Sequence, residues 1–246
     1  MRYYFLPLVI MFICFSQSSK TQVNKCKRIL SDTVEIIKII TDTNVIFQYK
    51  YKGIVDSTKT YFKNKSLSSV YFHNPKDSIM SKEYFVTGQL KAVLLNKEKI
   101  KGTVFHYTFF KNGKTEFIEI AKDSSIIYNG DTCKCLSLLI NYFDNGMVKE
   151  KGCQGLFNGT GLPVGHWFGY DKSGNVESKT YYHNDKFGKD FILKEFFYLN
   201  GKPKSVEKYN NYILYETVKK PKGIRLFYNL KGNLIKSFDY DKIVNR

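Results

Sequence analysis

Six short phrases recur along this chain: "YFVTGQL" at 84, "FFKNGKT" at 109, "YFDNGMV" at 142, "GYDKSGNV" at 169, "FYLNGKP" at 197 and "FYNLKGNL" at 227. Each sets an aromatic residue three or four places before a glycine. The glycines are Gly88, Gly113, Gly146, Gly174, Gly201 and Gly232, at intervals of 25, 33, 28, 27 and 31 residues. Self-similarity at such a period is the signature of a repeat architecture, in which one unit cannot bury its apolar face alone and stacks on its neighbours. An earlier phrase, "YFKNKSL" at 61, reads as a degraded copy whose glycine has become Lys65.

Within one copy the chemistry is that of a β-hairpin. Asn-Gly pairs at 112–113, 145–146 and 200–201 suit the positive φ angles of a tight two-residue turn. The flanks alternate, as in "ESKTYYHN" at 177–184 and "KSVEKYNNYILYE" at 204–216, where aromatic or β-branched residues interleave with polar and charged ones. Second turns are expected at 128–131, 183–189 and 209–212. The best helix candidate, "SDTVEIIKII" at 31–40, carries so many β-branched residues that a strand is expected there instead. The expected fold is all-β, an antiparallel meander of repeated hairpins forming a solenoid-like single sheet. A β-rich N-terminal segment occupies 19–80, either a degenerate repeat or a cap, and the repeats occupy 81–246.

The first eighteen residues read differently. Arg2 precedes an apolar run from Tyr3 to Phe15 and then the small, polar "SQSS", the pattern of a cleaved secretory leader. The run is shorter than the roughly 20 residues a membrane-crossing helix needs. The bulky "MFI" before Cys14 does not fit lipoprotein attachment. The expectation is an exported protein, periplasmic, outer-surface or secreted, carrying Cys26, Cys133, Cys135 and Cys153. In an oxidising compartment these form up to two disulfides. Adjacent strands can pair Cys153 with Cys135 or with Cys133, leaving Cys26 to tie down the N-terminal segment. Free thiols, or a metal site built from Cys133, Cys135, Cys153 and His166, are the alternatives.

With 16% aromatic residues and five prolines the chain has ample surface to bury. Its 39 basic against 22 acidic residues give a net charge of +17, which favours anionic partners in general. The basic residues are scattered. Only Lys219, Lys220, Lys222 and Arg225 form a local anion patch, and export argues against nucleic acid.

One stretch carries a resemblance. "GLPVGHWFGYDKSGNVESKTYYHNDKFGK" at 161–189 places Gly165, Trp167, Tyr170, Gly174, Tyr182 and Gly188 in a pattern that resembles MORN-type repeats, and more closely the bacterial MORN-variant proteins known as YwqK-like antitoxins. The resemblance runs from about Tyr84, or Tyr61, to Tyr240. It implies stacked hairpins that bind proteins or, in some members, lipid. In such a stack Trp167, Phe168, Tyr170, Tyr181, Tyr182, Tyr198 and Phe227 form a packing ladder.

Catalytic signals are few. The four histidines, His73, His106, His166 and His183, sit in no metalloprotease motif, and no Gly-x-Ser-x-Gly elbow exists. "NGKT" at 112–115 imitates the end of a P-loop but follows Thr108 where a glycine belongs. Cys153 with His166 would imitate a nucleophile and its base. No catalytic residue and no cofactor or metal is expected. The expected function is a non-enzymatic protein-interaction module with an unknown protein partner, the alternative being a peripheral binder of anionic lipid or cell-wall polymer.

Overall fold

The computed structural model describes residues 13–17, 23–31, 34–73, 79–96, 104–128, 131–157, 160–183, 191–210 and 220–242. It is all-β, with nineteen strands and no helix among the described residues. The chain divides into two compact units, Met1–Lys99 and Ile100–Arg246, so the copy around Gly88 groups with the N-terminal segment instead of with the later repeats.

In the first unit β1 (Ile13–Gln17), β2 (Val23–Ser31), β3 (Val34–Ile40), β4 (Asn44–Tyr51), β5 (Ile54–Phe62), β6 (Leu67–Phe72), β7 (Ile79–Tyr84) and β8 (Leu90–Leu95) each pair antiparallel with the next. β1 lies inside the expected leader, and the β-branched 31–40 segment supplies β3. The second unit runs β9 (Val104–Phe109), β10 (Thr115–Tyr128), β11 (Asp131–Tyr142), β12 (Val148–Phe157), β13 (Thr160–Tyr170), β14 (Val176–His183), β15 (Phe191–Phe197) and β16 (Pro203–Asn210), again each beside the next. β16 then pairs with both β17 (Lys220–Pro221) and β18 (Ile224–Tyr228), and β18 with β19 (Leu234–Asp239). The expected second turns at 128–131, 183–189 and 209–212 fall largely outside the described residues.

The glycine phrases make hairpin turns, but not the two-residue kind. In each, the first residue's N–H donates to the carbonyl four residues on, and its own carbonyl accepts from the glycine N–H three residues on. The pattern holds for Phe85/Gly88, Phe110/Gly113, Phe143/Gly146, Asp171/Gly174, Tyr198/Gly201 and Asn229/Gly232. This is a three-residue loop, a type I turn closed by a left-handed residue. The glycine alone carries the positive φ, between 76° and 94° in these six turns, while the preceding Asn does not. Asparagine is there for its side chain. Oδ1 of Asn112, Asn145 and Asn200 accepts the N–H of Lys114, Met147 and Lys202, closing the loop locally. In the two turns that start with a polar residue, Asp171 and Asn229 perform the same capping from the first position, each Oδ1 accepting two N–H groups.

The degraded copy folds identically. Phe62 N–H donates to Ser66, Lys65 N–H donates to Phe62, and Lys65 sits at φ 68°. A non-glycine residue in that region costs about 1–2 kcal/mol, partly offset by glycine's larger unfolded-state entropy. Lys65→Gly is therefore expected to stabilise the protein by roughly 0.5–1 kcal/mol, measured as a shifted denaturant midpoint with unchanged slope.

Every one of these seven hairpins also carries a second irregularity. The register slips by one just beyond the turn, leaving one extra residue on the outgoing strand: Ser68, Lys91, Glu116, Lys149, Glu177, Lys204 and Ile235 in chain order. Bulges of this kind add right-handed twist.

The sheet buries little completely. Among the described residues the buried apolar ones are Val70, Ala92, Phe105, Ala121, Cys135, Val164, Trp167 and Ile192, and of these Cys135, Val164 and Ile192 are fully buried. Most side chains are half-buried, and lysines provide cover: Lys38 lies over Phe47, Lys59 over Tyr49, Lys151 over Tyr170 and Lys208 over Phe191, at 4.5–5.9 Å from the ring centres. Long aliphatic stems shield the rings while the ammonium groups stay wet. A chain rich in both lysine and aromatics is what such a sheet requires.

Candidate functional site

Within the second unit the turns 110–114, 143–147, 171–175 and 198–202 each follow an odd-numbered strand, and 229–233 follows β18, which shares its place beside β16 with β17, so all five lie along one edge of the sheet. Strand spacing sets neighbouring turns about 10 Å apart. Three neighbouring pairs of them are tied together. Nδ2 of Asn112, Asn145 and Asn200 donates to the carbonyl of Asp144, Lys172 and Leu230, the second residue of the next turn, at 3.5, 2.9 and 2.9 Å. One asparagine thus closes its own turn with Oδ1 and docks the next with Nδ2, a double role that aspartate cannot fill. Tyr198 adds a hydroxyl donated to the Tyr228 carbonyl at 2.8 Å.

This ordered edge presents apolar side chains to solvent. Leu199 is 81% exposed, Leu230 64%, Met147 42% and Val176 41%. Exposed Lys111, Lys114, Lys172, Lys202 and Lys231 stand among them. Two shallow depressions between these turns share Val176, Phe197, Tyr198 and Leu199, and the first is also lined by Asp171, Glu177 and Lys204. In the second unit Leu199 and Leu230 occupy a turn position filled by Lys111, Asp144 and Lys172 in the other three turns, while in the first unit Val86, also exposed, holds it. That contrast was readable in the phrases themselves, although alignment on glycine alone passes over it.

The residues of the 161–189 stretch do a different job. A bulge between β12 and β13 contains Gly165, buried and at φ 70°. It turns Trp167 across the neighbouring strand, so that the indole lies directly over Gly152 and its Nε1 donates to the Cys153 carbonyl at 3.0 Å. Tyr182 meets the indole edge-on at 6.2 Å. Burial, followed by the nearby Glu150 charge, pushes the Tyr182 hydroxyl pKa up. Tyr170 is half-buried beneath Lys151. Gly188 lies outside the described residues.

On the strand face that carries His166, this side chain lies 4.8 Å from the ring of Tyr181, and His183 stacks on Phe191 at 4.6 Å. Burial and then Lys179 lower the pKa of His166, against a weaker opposing pull from Glu195.

Cys135 and Cys153, on neighbouring strands, form a disulfide with Cα atoms 5.4 Å apart. Cys153 therefore has no thiolate to act as nucleophile or ligand. Cys133 lies in β11 and Cys26 in β2. Among the described residues no three His, Cys, Asp or Glu side chains form a metal-ligand group.

Of the expected anion patch, Lys220 lies in β17 and the described side chains are those of Lys222 and Arg225. Arg225 turns inward to Glu207 at 2.5 Å and lies over Phe227, while Lys222 stays exposed and Lys219 is outside the described residues. Glu207, almost fully buried, also accepts the hydroxyl of Tyr209. Burial and that hydrogen bond hold the Tyr209 hydroxyl up at a pKa of about 12. The triad joins β16 to β18 and neutralises the one arginine of the patch.

No family model matches the chain, and no curated protein matches it significantly.

Proposed function

We propose that this chain is an exported, non-enzymatic interaction protein that uses its repeat sheet as a docking surface for another protein. The turn edge is the observation that carries this reading. Leu199 and Leu230 project into solvent from turns fixed to each other by asparagine hydrogen bonds, so the apolar row is pre-organised and binding orders little further. The MORN-like phrasing of 161–189 and the disulfide, a bond favoured in oxidising compartments, support the same reading. A second reading, a peripheral binder of anionic lipid or wall polymer, is favoured by the five lysines on that edge.

Salt separates the two. Capture from envelope extract on the tagged mature chain, at low and high ionic strength, is expected to retain a stoichiometric protein at high salt. Leu199→Asp is expected to abolish it with the melting temperature unchanged, because a side chain so exposed contributes little to folding. Retention of lipid or polymer alone, lost as salt rises and indifferent to Leu199→Asp, supports the second reading instead.

A further inference from the structure

The last strand breaks a rule that the other copies keep. The extra residue of the bulge is serine, lysine or glutamate in the first six hairpins, and exposed in all but the first. In the seventh it is Ile235, 64% exposed. β19 also exposes Leu234 at 55% and Phe238 at 38%, and among the described residues it pairs with β18 alone. Edge strands are ordinarily blunted by charge, proline or cover, because their free N–H and C=O groups template pairing with another chain. Here, on a strand with a single neighbour among the described residues, the polar or charged residue of the other copies is replaced by isoleucine.

We propose that β19 is an acceptor edge to which an extended segment of another polypeptide, presenting an acidic and an apolar residue two positions apart on one face, adds as a further antiparallel strand. The pattern follows from the register. Lys236 opposes Phe227 and Phe238 opposes Arg225, so these two side chains share one face and ask for an acidic and an apolar residue opposite them. Lys231, in the adjoining turn, extends the positive field, while Arg225 and Lys242 are held by Glu207 and Asp239. A second copy of this chain brings another +17, whereas an acidic strand brings opposite charge. Backbone pairing supplies affinity and alternate side chains supply the choice of partner.

The inference rests on the interaction-protein reading and assigns a surface separate from Leu199. The test uses the full mature chain and two labelled threonine-rich peptides, one with glutamate and valine two positions apart on the same face and one with lysine in place of the glutamate, followed by fluorescence anisotropy. The glutamate peptide is expected to bind and the lysine peptide not to. Ile235→Lys is expected to weaken binding at least 10-fold without changing the melting temperature, since Lys91, Lys149 and Lys204 occupy the same position in folded copies. Lys236→Glu is expected to shift preference toward the lysine peptide. Equal affinity for both peptides, unchanged affinity in Ile235→Lys, or a dimer of the chain alone that Ile235→Lys dissociates would each overturn the proposal. Leu199→Asp leaves peptide affinity intact if β19 acts as described. A wild-type chain that retains no protein at high salt yet binds the glutamate peptide refutes only the turn-edge reading, and one that retains a protein but binds neither peptide refutes only this one.

Discussion

Gly152→Ala is expected to cost about 3–5 kcal/mol, as much as removing the tryptophan it faces. A Cβ built on Gly152 lies 2.1 Å from Cδ2 of Trp167, far inside the roughly 3.5–4.0 Å of carbon contact. The nearest atoms are the rigid indole ring, so no flexible side-chain end can yield. Either β12 shifts, straining a strand bridged by disulfide to β11, or the indole swings out and loses both its burial and its bond to the Cys153 carbonyl. Against a whole-domain stability of about 5–15 kcal/mol this is a large share. Trp167→Ala alone is expected to cost a similar amount, and the double variant no more than Trp167→Ala by itself, because the clash needs both partners. Denaturant titrations of the four proteins give the cycle. A Gly152→Ala protein within 1 kcal/mol of wild type would show that the indole is not held where the bulge at Gly165 places it.

Loss of the Cys135–Cys153 disulfide is expected to cost about 3 kcal/mol, from the chain entropy that a bridge across 18 residues removes from the unfolded state. Its position makes the loss more than local. Cys153 is the carbonyl partner of Trp167 and the neighbour of Gly152, so the bridge anchors the strand on which the indole rests. A reductant should lower the melting temperature of wild type and leave a Cys135→Ser/Cys153→Ser protein unaffected. Proteolysis without reduction should release the two cysteines on one linked peptide. A linked peptide joining Cys133 to Cys153 instead would contradict the pairing, and an unchanged melt under reductant would contradict its contribution.

The recurring glycine phrase was visible because a hairpin turn is a local object. Gly113, Gly146 and Gly201 answer to a φ requirement, and Asn112, Asn145 and Asn200 to an N–H two residues away, so five consecutive letters suffice to specify the loop. Even the altered copy at Lys65 keeps enough of the phrase to be found. The expectation of a two-residue turn failed on a point that composition cannot reveal. Asn-Gly serves both turn types, and what distinguishes them is whether asparagine itself takes a positive φ or holds its neighbour's N–H.

The sequence by itself determined that the chain is a run of antiparallel hairpins, and where the glycine phrases turn, because those choices depend on interactions within five residues. Tertiary structure alone decided which cysteine meets Cys153, that Trp167 needs a glycine on the next strand, that Arg225 turns inward to Glu207, and that the apolar exceptions Leu199 and Ile235 end up on a solvent-facing edge. The reason is the thinness of the sheet. Where both faces stay half-wet and lysines cover aromatic rings, alternation of polar and apolar residues no longer marks inside from outside. Contacts between strands then follow from the bulges, each of which shifts the register by one residue and turns the side chains beyond it to the other face.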